Sequence, residues 1–343
     1  MVMLYLIALI GLGVVVFVHE LGHFAGARLG GMRVKQLALG FGWRLFGLRR
    51  GETDYRINAI PLGGYVMVDG YTDADPSELK SDPRLMRNRP FWAQALYIIS
   101  GSLFNLILAV ALILAVICLK GLPAGRAVMV GSVTAASPAA VAGLQKDDIL
   151  TAIDGKALWN QSDVATALQA SGPTADITIS RRGQTRHLTS RLEDGRLGIM
   201  VQERVTYSRA NLTVFTAVRQ AWSELYGMAG AIVQSLAMLF SGRAGLRELS
   251  GPVGMVTSVA STAAAGWHGF LLILAFISVN LGIFNILPIP ALDGGKLLLL
   301  VLEKITKGRL SQTVQAVIHL AGFAAIFLLI ALLSIKDVLA LFH

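Results

Sequence analysis

The chain has 343 residues, of which 54% are hydrophobic and 15% are charged, whereas an average soluble domain has about 25% charged residues. This composition favours a membrane protein over a soluble enzyme. The net charge of +9 does not indicate nucleic-acid binding, because the basic residues are scattered in loops beside apolar runs, where they set topology and contact lipid headgroups. The single cysteine, Cys118, excludes a disulfide framework or a thiolate metal cluster within one chain.

Four apolar segments are long enough to cross a hydrocarbon core, which requires about 20 helical residues. They cover residues 3–27, 91–119, 268–287 and 314–333. A buried core helix in a soluble enzyme is the alternative, and it suits one such run better than four. We expect the first segment to be retained as a span, because it lacks the basic start and the small-residue cleavage site of a signal peptide.

Basic residues are concentrated between the first two spans and between the last two. The positive-inside rule places both loops in the cytoplasm, and therefore both termini and the long segment between spans two and three outside it. Within the first loop, residues 54–68 alternate in the manner of a strand and contain the turn "PLGG". Gly40, Gly42 and Gly47 are bend points in the apolar stretch upstream. Two β-hairpins close to the membrane are predicted.

Residues 121–204 read as a separate soluble domain of short strands and two helices, large enough for one small core. Residues 211–240 then form a helical pattern interrupted by Arg219 and Glu224. We expect this helix to lie in the membrane interface or against the bundle rather than to span the bilayer. A glycine-rich connector follows it.

The predicted fold is therefore a polytopic α-helical membrane protein with about four transmembrane helices, β-hairpins and one inserted α/β domain. The expected boundaries are 1–29 for the first span, 30–90 for the cytoplasmic hairpin region, 91–120 for the second span, 121–205 for the inserted domain, 206–266 for the amphipathic helix and connector, 267–296 for the third span, and 297–343 for a cytoplasmic loop and the fourth span.

The first span ends in the sequence "HELGH". His19 and His23 are four residues apart, so a helix places both imidazoles on one face, where they can bind one cation. Glu20 lies one step round the helix and can act as general base on a metal-bound water, which is the arrangement of zinc peptidases. A lone histidine on an apolar face is more often a core residue, but ionisable groups within a span indicate function.

A catalytic zinc ion needs a third protein ligand, for which Asp293 is the best candidate. It follows Pro288 and Pro290, which break the third span, and irregular backbone at membrane depth is tolerated where it lines a cavity. The alternative is a helix N-cap, and both roles can coexist. Zn²⁺ with two neutral imidazoles and two carboxylates is neutral overall, which favours burial. Weaker candidates are His187, His268, Glu303 and His319.

Together these residues resemble the site-2 protease family of intramembrane zinc metalloproteases (peptidase family M50). The likeness rests on "HELGH", on "NILPIPALDGG" after the third span and on "INAIPLGGYV" in the first loop. The stretch "SPAAVAGLQKDDILTAIDGK" is similar to a PDZ domain. One such insert between spans two and three resembles the bacterial branch that includes the regulator of sigma-E proteases.

The resemblance implies that His19, His23 and Asp293 bind Zn²⁺ and that Glu20 is the base. Asn285 and Pro288 match motif positions near the substrate. Asn105 resembles a polar position facing the site, with a helix–helix hydrogen bond as its alternative.

The strand containing Ile57 and Asn58 resembles the elements that engage substrate, and we expect residues 55–60 to offer a free sheet edge to an unwound substrate. In the PDZ-like insert, Leu197, Gly198 and Ile199 are a candidate loop for a substrate carboxylate. The alternative is a steric plug that binds no peptide.

The expected function is cleavage of single-pass membrane proteins within or near their spans by a multi-pass protein of the bacterial inner membrane. The active-site loops would face the cytoplasm and the insert would be extracytoplasmic. Such cleavage would be the second step after trimming by a first protease, as of an anti-sigma factor, or would remove leftover signal peptides. Membrane lipids are expected partners and nucleic acid is not. The rival functions are a metal transporter and a non-proteolytic PDZ-bearing scaffold.

Overall fold

The computed structural model describes residues 2–70, 82–193, 195–243, 251–306 and 312–340. The chain divides into two compact units, one made of Met1–Val116 with Val218–His343 and the other of Ile117–Ala217, and each is described by itself. Part of the expected glycine-rich connector and part of the expected loop after the third span lie outside the described residues.

The helices and strands follow each other along the chain with bounds close to those expected from the apolar pattern. The helices are α1 (Val2–Leu29), α2 (Phe91–Lys120), α3 (Pro138–Val141), α4 (Gln161–Ala170), α5 (Val214–Phe240), α6 (Pro252–Ala265), α7 (Trp267–Ile286), α8 (Asp293–Ile305) and α9 (Gln312–Ala340). The strands are β1 (Val34–Arg50), β2 (Thr53–Val68), β3 (Leu122–Val133), β4 (Ile149–Ile153), β5 (Lys156–Ala157), β6 (Thr174–Arg181), β7 (Gln184–Arg191) and β8 (Ile199–Ser208).

Four helices of the described chain are long and apolar enough to cross a membrane, namely α1, α2, α7 and α9. They coincide with the four predicted spans. The α5 helix is not among them, as expected from its mixed polarity. The prediction that α5 lies in the membrane interface stays a prediction.

Helices α1 and α2 approach each other closely because α1 carries glycines at four-residue intervals. A Cβ at Gly22 would meet the carbonyl oxygen of Ser100, and one at Gly26 would meet the Ser100 hydroxyl. Small residues at this spacing allow backbones of membrane helices to come into contact. The close approach sets α2 directly against the face of α1 that carries the two histidines.

Helices α6 and α7 pack against the other end of α1 in a small apolar core. Its buried members are Ala8, Val15, Val259, Ala260 and Leu274. Asp337, a buried acid near the end of α9, accepts a hydrogen bond of 2.8 Å from the backbone N–H of Gly254 in the first turn of α6. The acid thus satisfies one of the free N–H groups at a helix start.

Strands β1 and β2 form a hairpin in which each strand contributes two separate segments to one sheet. Residues 36–39 pair with residues 64–67 on one side and with residues 54–57 on the other. Residues 54–57 pair in addition with residues 46–49. The bends predicted at Gly40 and Gly42 are present, since these residues have positive φ angles of 81° and 84°, and Gly63 of the predicted "PLGG" turn has one of 99°. Gly47 instead lies in regular strand pairing with Arg56, so the bend predicted there is wrong.

This register corrects the expectation that residues 55–60 form a free edge. Residues 55–57 pair on both sides, so their backbone groups are occupied by neighbouring segments, and Asn58 and Ile60 each pair with one residue of β1. The outer segments are residues 44–50 and 64–68, and within the described residues no further strand pairs with either. The error arose because alternation identifies a strand but not its neighbours.

A buried acid forms ion pairs where β1 begins and β2 ends. Asp69, which follows β2, is 3% exposed and forms ion pairs with Arg33 and with Lys35, the latter at 2.8 Å. Burial alone would raise the pKa of the Asp69 carboxyl, but the hydrogen bonds from Lys35 and Arg33 hold that pKa below its usual value. The pairs tie the start of β1 to the end of β2.

The second unit contains the sheet β7-β6-β4-β3-β8, with β5 paired to β4. Its core is formed by buried aliphatic residues, among them Val128, Leu150, Ile153, Ile177 and Ile179. The unit contains six strands and the two short helices α3 and α4 among its described residues, and the assignment of residues 121–205 as a PDZ-like inserted domain stays a prediction. Strand β8 is an outer strand of this sheet, and the N–H of Gln161 at the start of α4 donates to Glu203 of β8 at 3.0 Å.

Candidate metal centre

His19 and His23 lie one turn apart on α1, and both are 6% exposed. Their Nε2 atoms are 3.1 Å from each other. Oδ2 of Asp293 lies 3.1 Å from Nε2 of His19 and 3.0 Å from Nε2 of His23. The structure thus brings together the three residues predicted as metal ligands, although 274 positions separate His19 from Asp293 in the chain.

Asp293 reaches the histidines because the chain turns sharply after α7. That helix ends at Ile286, and α8 begins with Asp293 itself. In the turn, Ala291 has a φ of 78°, and a Cβ at Gly294 would collide with the carbonyl oxygens of Ile286 and Leu287. The N-cap position is occupied by Leu292, so the alternative of Asp293 as the N-cap is wrong.

The three side chains have the chemistry and spacing of a metal site. Zinc bonds to imidazole nitrogen and carboxylate oxygen are about 2.0–2.2 Å long, so tetrahedral ligand atoms stand about 3.3 Å apart. The three observed separations are slightly shorter than that distance. Among the described residues, His19, His23 and Asp293 form the one group of three or more metal-ligating side chains. His187, His268, His319 and Glu303 do not join it.

Hydrogen bonds on the far side of each imidazole suit a metal on Nε2. Nδ1 of His23 lies 2.8 Å from the backbone carbonyl oxygen of Tyr97, so that nitrogen carries the proton and leaves Nε2 free to bind a cation. Nδ1 of His19 lies 3.2 Å from the amide of Asn105.

Asn105 is fully buried on α2, so it faces the site from span two without being open to a substrate. As placed, Nδ2 of Asn105 points to His19, and its Oδ1 has no hydrogen-bond partner among the described residues. Amide oxygen and nitrogen are interchangeable in shape. Exchanging them directs Oδ1 at the N–H of His19, which is the partner that a metal-ligating imidazole needs.

The two imidazoles occupy the space that a side chain at position 101 of α2 would otherwise fill, because this residue is Gly101. A Cβ at this position of α2 would be 2.5 Å from Nε2 of His23 and 2.8 Å from Cε1 of His19. Real Cβ atoms do not approach other atoms so closely, so the site needs a residue without a side chain here. The hollow made by Gly101 faces the nitrogen atoms that would bind a metal.

Glu20 is half-buried beside the histidines on α1. Strand β2 comes close to it, since a Cβ at Gly64 would be 3.0 Å from Cγ of Glu20. The outer segment of the sheet, residues 64–68, therefore passes next to the predicted base.

The predicted substrate residues of the first unit are placed differently from one another. Nδ2 of Asn285 lies 3.4 Å from Nε2 of His19, and Pro288 is exposed in the turn after α7. Ile57 is also exposed, whereas Asn58 is buried and donates to the carbonyl oxygen of Gly40 at 2.9 Å. Asn285 alone of these four touches the cluster; the substrate roles of all four stay predictions.

In the insert, Leu197 is buried in the core, and its carbonyl oxygen accepts from the N–H of Ala139 at 3.0 Å. The carbonyl oxygen of Gly198 accepts from Thr134 at 2.9 Å, which fixes the loop before Ile199. Of this loop, Gly198 lines a cavity of about 520 Å³, together with residues 134–138, Glu193 and Arg196. A peptide-binding role for this loop stays a prediction.

Charge in the cluster is balanced locally. A positive charge lies beside the Asp293 carboxylate and favours its ionised form. Nζ of Lys296 lies 2.9 Å from Oδ1 of Asp293. Asp293 is therefore an anion, which is the form that binds a metal.

Sequence reasoning missed three features of the site, namely Gly101, the carbonyl of Tyr97 and Lys296. A glycine and a main-chain oxygen have no pattern that distinguishes them from their neighbours. Lys296 did carry a signal, because it lies three residues after Asp293 and so shares a helix face with it.

Comparison with known proteins agrees with the geometry. The profile of "Peptidase family M50" matches residues 7–329. The chain is 31% identical over 336 residues to a protein of Clostridium acetobutylicum named as a zinc metalloprotease, covering 97% of this chain and 96% of the relative. It is 26% identical over 416 residues to the regulator of sigma-W protease RasP of Bacillus subtilis, covering 96% and 97%. With the family profile spanning nearly the whole chain and four helices able to cross a membrane, the protein belongs to peptidase family M50, the site-2 proteases, and is an integral membrane zinc metalloprotease.

Proposed function

We propose that His19, His23 and Asp293 hold the zinc ion and that Glu20 is the general base for cleaving peptide bonds within or near transmembrane segments. The observation that carries the proposal is the contact of Asp293 Oδ2 with both imidazole Nε2 atoms, at 3.1 Å and 3.0 Å. Two of the three ligands lie on a membrane-spanning helix, so the scissile bond must come to membrane depth as well.

When bound, zinc would supply Lewis acidity, by which it acidifies water and polarises a carbonyl. Glu20 accepts the proton of the attacking water and delivers it to the leaving amine nitrogen. Asn285, whose amide lies next to His19, donates a hydrogen bond to the extended substrate backbone. His23 keeps its proton on Nδ1 through the carbonyl of Tyr97, which holds its Nε2 toward the site.

The substrate must be unwound before it is cut, because a helix hides its carbonyls in hydrogen bonds. The freed backbone groups need partners in an apolar setting, and an outer strand can provide them by strand addition. We place this strand at residues 64–68, since that segment is at the sheet edge and passes Glu20. It replaces residues 55–60 in this role.

Replacing Gly64 by Ala should lower the rate of cleavage by about 10- to 100-fold, because a displaced base or substrate edge loses the reactive geometry. The added Cβ would lie 3.0 Å from Cγ of Glu20 and 2.8 Å from the carbonyl oxygen of Ala38. Turnover of a tagged transmembrane peptide in detergent, with zinc content, measures the effect. Gly125→Ala is the matched control, since a Cβ there meets its nearest atom at 3.5 Å. A Gly64→Ala protein with full activity would contradict the placement of the edge.

The tip of the β1–β2 hairpin supports contact with lipid. Trp43, Phe46 and Leu48 are exposed there, with Arg44 and Arg49 next to them in the chain. Aromatic and basic residues together favour the interface between headgroups and hydrocarbon. The hairpin and the active-site loops face the cytoplasm in this proposal, and the insert is extracytoplasmic, as the distribution of basic residues favours.

For the insert, we propose a PDZ-like domain that selects substrates already trimmed outside the membrane. The support is an outer strand, β8, whose Glu203 side chain accepts a hydrogen bond from the start of α4, and a cavity lined by Gly198, Arg196 and Glu193. An outer strand, a neighbouring helix and a cation suit a peptide ending in a carboxylate. The alternative outcome is a plug that excludes large substrates and binds no peptide.

The substrate class we propose is single-pass membrane proteins already cut once, such as anti-sigma factors, and leftover signal peptides. The relative from Bacillus subtilis is named a regulator of sigma-W protease, which supports a regulatory second cleavage. Transport of metal or peptide scaffolding without proteolysis is not favoured, since the chain belongs to a peptidase family.

The test is metal content measured together with cleavage of a tagged transmembrane peptide by the purified full chain. Asp293→Asn should lower zinc occupancy and abolish cleavage, because one anionic ligand is lost. Asp147→Asn is the control, an exposed acid of the insert whose φ of 72° suits asparagine. Unchanged zinc stoichiometry in Asp293→Asn would remove Asp293 from the ligand set.

A further inference from the structure

Lys296 contacts the metal-binding carboxylate from the side opposite to the histidines. Its Nζ lies 2.9 Å from Oδ1 of Asp293, while Oδ2 of the same carboxylate contacts both imidazoles. One oxygen of the carboxylate therefore contacts the Lys296 ammonium group, and the other contacts the two imidazoles. The Lys296 side chain is 29% exposed and that of Asp293 is 9% exposed.

The position of this lysine is unfavourable for the helix that carries it. Lys296 lies in the first turn of α8, where the helix dipole is positive and a cation is disfavoured. An acid is favoured in the same turn, and Asp293 supplies it. The helix dipole thus gives no reason for a lysine here; its partner is the Asp293 oxygen that faces away from the histidines, three residues earlier on the same helix face.

We propose that Lys296 is a positioning residue that keeps Asp293 a one-oxygen ligand of the zinc ion. The inference rests on the proposed ligand role of Asp293. With Oδ1 bound to the ammonium group, only Oδ2 would be free for a metal, so His19, His23 and Asp293 would supply one donor atom each and leave room for water or substrate. Without Lys296, both carboxylate oxygens can bind, which takes up that room or raises the coordination number.

The ammonium group also restrains the direction of the carboxylate. Asp293 is the first residue of α8 and follows the tight turn at Ala291. No preceding helical turn therefore packs against its side chain to fix its direction. Partners behind a ligand commonly contribute 10- to 100-fold in metal affinity. Lys296 is such a partner of Asp293, just as the carbonyl of Tyr97 is the partner behind His23.

The experiment compares Lys296→Met, Lys296→Arg and Lys304→Met in the purified full chain. Met keeps the length of the side chain but removes its charge and N–H donors, and Arg restores both. Lys304 is the matched control, because it is an exposed lysine in the last turn of the same helix. Zinc affinity is measured by competition with a chelator, and coordination number by the visible absorption of the Co²⁺-substituted protein. Neither readout requires proteolysis.

We expect Lys296→Met to bind zinc about 10-fold more weakly and to show the weaker Co²⁺ absorption of a five-coordinate ion. Lys296→Arg should recover both properties, and Lys304→Met should match the unaltered protein, with equal thermal unfolding in all. An unaltered Co²⁺ spectrum and zinc affinity in Lys296→Met would overturn the inference while leaving the metalloprotease proposal intact. Failure of the unaltered protein to bind zinc through Asp293 would instead remove the proposed function on which the inference rests.

Discussion

Glu20→Gln should abolish measurable cleavage, with a loss of about 10²–10⁴-fold, while zinc content and thermal unfolding stay unchanged. Glutamine has the shape of glutamate but cannot accept a proton at neutral pH. Glu20 is not one of the three clustered side chains around the candidate metal position, so the ligand set remains complete. The only step affected is the transfer of the proton from the attacking water to the leaving amine.

Cleavage of a tagged single-pass peptide by the purified protein, with zinc measured on the same sample, gives the result directly. Glu303→Gln is the control, because Glu303 is an exposed acid on α8 that the proposed chemistry does not use. In cells, membrane proteins that accumulate with the Glu20→Gln form and not with the control identify the substrates.

Substantial turnover by Glu20→Gln would contradict the general-base assignment. Loss of zinc in that variant would contradict it in another way, because Glu20 would then contribute to metal binding. The two results are separable, since zinc is measured without substrate. A contrast is available in Asp293→Asn, in which zinc is expected to be lost together with activity.

The sequence was sufficient for the parts of the site that depend on regular periodicity. His19 and His23 share a helix face because they are four residues apart, and the length of the apolar run made that helix a span. Asp293 could be predicted because an acid beside broken backbone in a membrane protein has few harmless explanations. Its approach to the histidines across 274 positions required the fold.

The sheet shows where periodicity was not enough. Alternation predicted the strands, and the glycines predicted the bends at Gly40 and Gly42. The order of the segments in the sheet depends on the turns that connect them, which alternation does not specify. The free edge was therefore predicted at residues 55–60, whereas the outer segments are residues 44–50 and 64–68. The partner of a strand is a tertiary property.

The supporting contacts of the histidines were out of reach for a different reason. They come from a main-chain carbonyl at Tyr97 and from the space left by Gly101. Every residue has a carbonyl and the chain has many glycines, so the sequence does not show which of them lies beside the histidines. Both contacts depend on the close approach of α1 and α2 at Gly22 and Gly26. Glycine spacing predicts that the two helices can approach, but the distance between their backbones depends on the fold.

Gly101→Ala should therefore weaken zinc binding and lower activity together, although alanine stabilises an isolated helix by about 1 kcal/mol relative to glycine. The new Cβ would lie 2.5 Å from Nε2 and 2.7 Å from Cε1 of His23. The histidine cannot simply turn away, because its Nδ1 is held by the carbonyl of Tyr97.

Zinc affinity by chelator competition and peptide cleavage measure the effect, and we expect a loss of affinity of about 10-fold or more, as for other disturbances behind metal ligands. Gly227→Ala is the matched control, because Gly227 lies inside helix α5 and a Cβ there meets nothing within 4 Å. That control should keep zinc and activity. A Gly101→Ala protein with normal zinc affinity would show that the hollow in α2 is not required, and that the ligand pair can move while still binding metal. Loss of zinc in Gly101→Ala, with Gly227→Ala intact, would establish that the metal position is defined as much by the absence of a side chain on α2 as by the two histidines on α1.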